Sequence, residues 1–141
     1  MLPLKTFIVE DSPVIRDNLV ATLEELAPVV VLGTAEDEAG ALAWLAGAEH
    51  RVALVIVDIF LKIGSGLGVL QHAGALQSGA KFVVLSNYAT VDIRRKCLAL
   101  GADAVFDKSG EIDALIQYCH SLATTIATTS AATSATGSDR S

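Results

Sequence analysis

Cysteine is scarce in this sequence. The two present, Cys97 and Cys119, have neither metal-ligand spacing nor the density of a disulfide scaffold, so both are expected to pack in the core. Long apolar runs are missing as well. The longest, such as Val52 to Val57, fall far short of the roughly 20 residues that span a bilayer, and no membrane association is expected. The apolar stretch before Glu10 and Asp11 is too short for a secretory signal, which points to a cytoplasmic protein. Positive charge is in deficit, with ten Lys and Arg against sixteen Asp and Glu and a net charge of −6. That is the wrong sign for neutralising phosphates, so no nucleic-acid partner is expected. No Walker-type lysine motif occurs, which argues against a nucleotide hydrolase.

What the chain has is apolar material. Residues of the AVILMFWYC set make up 52% and charged residues 18%, enough to bury a core on two faces and to exclude wholesale disorder. Its 141 residues suit one domain with a tail. The apolar period dissolves after Ala123, and 14 of the last 18 residues are Thr, Ser or Ala. We expect a domain over residues 1–123 and a disordered tail over 124–141.

Apolar runs rich in β-branched residues alternate with segments of helical period, five of each, as in a parallel sheet built from βαβ units. The expected strands are Lys5–Val9, Val29–Ala35, Ala53–Asp58, Lys81–Ser86 and Ala104–Asp107. Leu54–Val57 and Phe82–Leu85 are unbroken apolar runs, as required of central strands covered on both faces. The first helix is expected to begin at Pro13 with Ser12 as its cap and to end before Pro28. The others are expected over Asp37–Gly47, Gly66–Leu76, Thr90–Leu100 and after Ser109.

In an open parallel sheet, ligands bind beyond the carboxyl ends of the strands. Four of the five expected strands deliver a polar or ionisable group to that edge: Glu10 and Asp11, Asp58, Ser86, and Asp107 with Lys108. Each alone has an ordinary explanation as a strand end, a helix cap or a solvated lysine, and it is their coincidence that carries weight. If the first and third strands are neighbours about 4.8 Å apart, Glu10, Asp11 and Asp58 form a carboxylate cluster that needs a counter-charge. A hard divalent cation such as Mg²⁺ supplies it and keeps positions open for phosphate oxygens. Lys108 can stabilise a transferring phosphoryl group, Ser86 can donate to one of its oxygens, and Asp58 is the expected nucleophile.

With these motifs in view, the sequence resembles the response-regulator receiver (CheY-like) family over roughly residues 4–122. The residues that carry the resemblance are Val9-Glu10-Asp11-Ser12, Val55-Ile56-Val57-Asp58, Gly66 eight positions after Asp58, Val84-Leu85-Ser86-Asn87, and the run from Gly101 to Lys108. The resemblance implies a flavodoxin-like (βα)5 doubly wound sheet with strand order 2-1-3-4-5. It implies phosphorylation of Asp58 by a histidine kinase or phosphotransfer protein, with Mg²⁺ held by Glu10 or Asp11, by Asp58 and by the carbonyl of Phe60. It also implies output through the face of helix four, strand five and helix five, by a changed affinity for a downstream protein or by homodimer formation. Such a chain promotes its own phosphorylation and dephosphorylation and has no separate catalytic domain.

Several positions depart from the family pattern. Val105 stands where members usually carry a Tyr or Phe that reports phosphorylation, and the adjacent Phe106 should point to the opposite face. Ser109 replaces the Pro that commonly follows the lysine, so a trans bond is expected there. Lys62 replaces another common Pro, and bulky groups at Phe60, Asn87 and Tyr88 are expected to restrict attacking water. Arg94-Arg95-Lys96 forms a basic spot that can face an acidic partner or simply water. Val105 also keeps open a different function, that of a docking module that works whether or not it is phosphorylated. A flavodoxin-type FMN carrier is disfavoured because the loop after strand one carries two carboxylates where a phosphate cradle is required. Gly64-Ser65-Gly66-Leu67-Gly68 lacks dinucleotide-binding spacing and is read as a flexible loop before helix three. His50, His72 and His120 are assigned no role.

Overall fold

Leu54, Val55, Ile56 and Val57 are all buried, and their side chains alternate between two separate apolar cores. Val55 and Val57 join Phe7, Val9 and Val84 in one, while Leu54 and Ile56 join Ile8, Val83, Leu115 and Cys119 in the other. A strand with no polar side has to lie between two helical layers, and this one does. The computed structural model describes residues 3–47 and 49–140, with side chains through residue 127. Its elements are β1 (Leu4–Val9), α1 (Pro13–Leu26), β2 (Val29–Ala35), α2 (Glu38–Leu45), β3 (Leu54–Val57), α3 (Gly66–Leu76), β4 (Lys81–Ser86), α4 (Val91–Ala99), β5 (Ala104–Asp107) and α5 (Ile112–Arg140). All strand pairs are parallel, in the order β2-β1-β3-β4-β5. This is the flavodoxin-like architecture that the sequence predicts.

The helix starts follow from their caps. The hydroxyls of Ser12, Ser65 and Thr90 accept the N–H groups of Ile15, Leu67 and Ile93, and the Asp37 carboxylate accepts that of Gly40 at 2.7 Å. Each cap satisfies a donor that the helix leaves unpaired, and each lies just after the loop that leaves a strand. The N-termini of four helices therefore sit at the carboxyl edge of the sheet.

Trp44 of α2 stacks on Phe7, with ring centroids 4.3 Å apart, and His50 stacks on its far face. The indole lies against Gly33 of β2, where an added Cβ would come within 2.7 Å of it. That glycine interrupts a β-branched strand because the tryptophan needs the space. His50 and His120 bond the carbonyls of Trp44 and Leu26, which accounts for both without a functional role.

Cys97 and Cys119 are free and buried in opposite cores, and burial pushes the Cys119 thiol up to about 11. The helical backbone of α5 runs on to Arg140, through the segment whose composition leads to an expectation of disorder. A docked helix extends without a new nucleation cost, and alanines with no proline allow it. Among the described residues, the last that α5 contributes to the core are Leu122 and Ala123. Among the described residues, no helix is long and apolar enough to cross a membrane.

Candidate functional site

β1 and β3 are neighbours in register, with Val9 opposite Val57, so the residues that follow them emerge side by side. The ladder continues past the strands through the Asp58 N–H donating to the Val9 carbonyl at 3.0 Å. Oxygen atoms of Glu10, Asp11 and Asp58 lie within 4.8 Å of one another, which realises the expected carboxylate cluster. On the other side, β4 and β5 place Ser86 opposite Asp107, and the Lys108 N–H donates to the Ser86 carbonyl at 3.0 Å. Four strand ends thus converge on one pocket of about 200 Å³.

The Lys108 ammonium donates to Asp58 Oδ2 at 2.9 Å and also to Glu10 Oε1. Its side chain is 9% exposed, and those of Glu10 and Asp58 are 3% and 10%. Burial favours the neutral amine, but the hydrogen bonds and charges of Glu10 and Asp58 outweigh it and raise the Lys108 pKa. Burial also raises the Glu10 carboxyl, against the opposing pull of Lys108 and the Ser12 N–H. Three carboxylates against one ammonium leave a deficit of positive charge in a site of hard oxygen donors, and this suits a small divalent cation.

The loop between β3 and α3 is held at several points. The Phe60 N–H donates to Asp58 Oδ1 at 3.2 Å, and the Lys62 N–H to Asp11 Oδ2 at 2.9 Å. Farther along, Glu38 of α2 accepts the Ser65 N–H at 2.9 Å. Its side chain occupies the volume above Gly64 and Gly68, where an added Cβ would come within 2.6 Å of the Glu38 Cβ and 2.4 Å of its carboxyl, respectively. Gly66 packs so tightly on the segment after β3 that a Cβ would lie 2.1 Å from the Asp58 carbonyl oxygen. The glycine-rich run, whose last three residues already belong to α3, is therefore pinned rather than the flexible loop the sequence suggests, because its glycines make room for neighbouring groups.

Ser86 is fully buried, and its Oγ accepts the Tyr88 N–H at 3.1 Å, which leaves the hydroxyl proton free to donate elsewhere. Phe60 and Tyr88 meet edge to face over the pocket mouth, with centroids 5.3 Å apart. Val105 faces the α4 side, while Phe106 turns to the opposite core and meets Tyr118, as strand alternation requires. The bond between Lys108 and Ser109 is trans, and the Ser109 N–H and hydroxyl both donate to Asp107, which holds that carboxyl below its usual range.

Of the residues singled out from the strand ends, Glu10, Asp11, Asp58 and Lys108 line one pocket, Ser86 is buried at the neighbouring strand end, and Asp107 turns away to accept from Ser109. Sequence reasoning missed Glu38, which carries no local signal because its partners lie 27 residues away. It also read Arg94 as part of a surface patch. Arg94 is instead engaged within the fold, bonding the carbonyls of Ala89 and Val105 and the Glu111 carboxylate, while Arg95 and Lys96 remain exposed.

Residues 6–120 match the response regulator receiver domain. A curated relative, the transcriptional regulatory protein MalR of Bacillus subtilis, is 27% identical over 99 residues, which are 70% of this chain. The match spans 41% of that longer protein. A response regulator of Burkholderia pseudomallei, solved with a phosphorylated aspartic acid, a calcium ion and citrate, superimposes with a TM-score of 0.72 at 26% identity, covering 91% of this chain and 73% of the other. The receiver domain of the Francisella response regulator 1452 gives a TM-score of 0.73 at 19% identity, over 84% of this chain and 95% of the other.

Proposed function

The chain belongs to the response regulator receiver family, and on that premise we infer that Asp58 accepts a phosphoryl group from a phosphohistidine donor, a histidine kinase or phosphotransfer protein, in a Mg²⁺-dependent reaction. The observation that carries this reading is the convergence of Glu10, Asp11, Asp58 and Lys108 on one pocket, with a buried Ser86 hydroxyl at the neighbouring strand end. The Burkholderia relative, with its phosphorylated aspartic acid and calcium ion, supports it.

Glu10 or Asp11, together with Asp58 and the Phe60 carbonyl, are the groups that would hold Mg²⁺, and the ion would neutralise charge on the incoming phosphoryl oxygens. Asp58 attacks phosphorus through a carboxylate oxygen, and the bond from phosphorus to the donor's imidazole nitrogen breaks as the new one forms. Lys108, already paired with Asp58, moves its ammonium onto a phosphoryl oxygen as that carboxylate charge is consumed. Ser86 donates its hydroxyl proton to another phosphoryl oxygen without giving up the Tyr88 N–H. The chain is in this reading an acceptor that promotes its own phosphorylation and dephosphorylation, and its output is a changed affinity for a partner protein. Couplings of this kind are typically about 1–3 kcal/mol.

The test is chemical. After incubation with acetyl phosphate and Mg²⁺, the phosphoryl group should be released by hydroxylamine, as an acyl phosphate is. A hydroxylamine-stable label would place it on a hydroxyl and overturn the assignment. Val105 favours the second reading, a docking module indifferent to phosphorylation, because no aromatic ring stands there to report the event. Complete absence of label in a folded protein would favour that reading.

A further inference from the structure

We propose that Arg94 is the residue through which occupancy of the Asp58 pocket reaches the surface formed by β5 and the first turn of α5. The proposal rests on the reading of that pocket as a phosphoryl acceptor site, and it assigns the residue that carries the signal.

One guanidinium ties three segments together. Arg94 Nε donates to the Ala89 carbonyl at 2.9 Å, Nη1 to the Val105 carbonyl at 2.8 Å, and Nη2 to Glu111 Oε1 at 2.5 Å. The same Glu111 oxygen accepts the Asp107 N–H at 2.9 Å. These partners flank the pocket. Ala89 lies in the loop after Ser86, and Asp107 immediately precedes Lys108. Arg94 therefore sits between the segments that carry the two phosphoryl-binding groups.

The Ser86 hydroxyl is fastened to its loop by the Tyr88 N–H, one residue before the carbonyl that Arg94 holds. Turning that hydroxyl toward a phosphoryl oxygen pulls on the Tyr88 N–H and shifts the Ala89 carbonyl. A guanidinium is a planar fork with fixed donor directions. It cannot follow Ala89 and keep its aim on both Val105 and Glu111. One contact must lengthen, and the least buried is Glu111, whose side chain is 38% exposed. Water reaches that pair, so it can open without stranding a buried charge. Opening it releases a carboxylate immediately before α5, which changes the charge pattern of the surface there.

The experiment records backbone amide spectra of the full chain with Mg²⁺, before and after saturation with beryllofluoride, a phosphoryl mimic. In the wild type, amides of 87–90 and of Val105, Phe106 and 111–115 should all shift. In Arg94→Ala the first group should still shift and the second should not. Arg94→Lys keeps the charge but cannot reach three acceptors, so it should show the same loss and covers the case in which the alanine variant does not fold. Shifts in both groups in a folded Arg94 variant would overturn the proposal and leave Arg94 a structural residue. If the wild type shows no shift even at 87–90, the acceptor reading itself fails and the proposal with it.

Discussion

The Lys108 ammonium lies 2.9 Å from Asp58 Oδ2 and also bonds Glu10, so one cation pairs two buried carboxylates from neighbouring strands. Lys108→Ala removes that cation and leaves Glu10, Asp11 and Asp58 to repel one another. Breaking a buried pair from one side costs about 3 kcal/mol, which urea denaturation in EDTA will read as a lowered midpoint. Mg²⁺ at about 100 times its dissociation constant should return about 2.7 kcal/mol. A variant as stable as wild type in EDTA would mean that the lysine does not compensate the cluster.

Gly66→Ala and Gly68→Ala separate two kinds of crowding. At Gly66 the new Cβ would meet the Asp58 carbonyl oxygen at 2.1 Å, and backbone must move, at a cost of about 3 kcal/mol. At Gly68 it would meet the Glu38 carboxyl at 2.4 Å, which can swing away and lose its bond to the Ser65 N–H, a loss of about 1 kcal/mol. Thermal denaturation of the two variants should rank them in that order, and equal melting points would contradict the packing described.

Phe60 and Tyr88 cover the pocket mouth edge to face. Both line the pocket that holds Asp58, where they restrict the approach of water to an acyl phosphate. Phe60→Asn and Tyr88→Ala should each shorten its lifetime by about tenfold, a barrier change of about 1.4 kcal/mol. Unchanged decay in both variants would remove the aromatic pair from the account.

Glu111 is held below the usual glutamate range, first by its hydrogen bond from Arg94 and then by the Asp107 N–H. A carboxyl whose pKa falls on folding adds stability above its unfolded value of 4.5, and loses it as pH drops through the folded value. Glu111→Gln should therefore be less stable than wild type at pH 7, with the difference shrinking once pH falls below 4.5. A difference constant across that range would show that the carboxylate charge contributes nothing.

Much of this was legible in the sequence because it rests on local rules. Unbroken apolar runs marked Leu54–Val57 and Phe82–Leu85 as central strands, and the start of α1 followed from Ser12 as its cap with Pro13 next. Strand alternation alone separated Val105 from Phe106. Topology then made neighbours of strand ends far apart in the chain, which is why five polar residues without a common motif could be read as one site. Contacts set by side chains reaching between elements were not legible. Nothing near Glu38 says that it fills the space over Gly64 and Gly68, and nothing near Arg94 distinguishes it from Arg95. In both cases the partner is chosen by packing geometry, which a single sequence does not carry.

The central claim is that Asp58 is the phosphoryl acceptor and that the carboxylates beside it make the reaction depend on metal. Intact-protein mass after incubation with acetyl phosphate, with and without Mg²⁺, on wild type and Asp58→Asn, tests it most directly. The account predicts a single phosphoryl adduct on the wild type that requires Mg²⁺ and is absent from the variant. An adduct of equal yield on Asp58→Asn, or none on folded wild type with Mg²⁺ present, would contradict it.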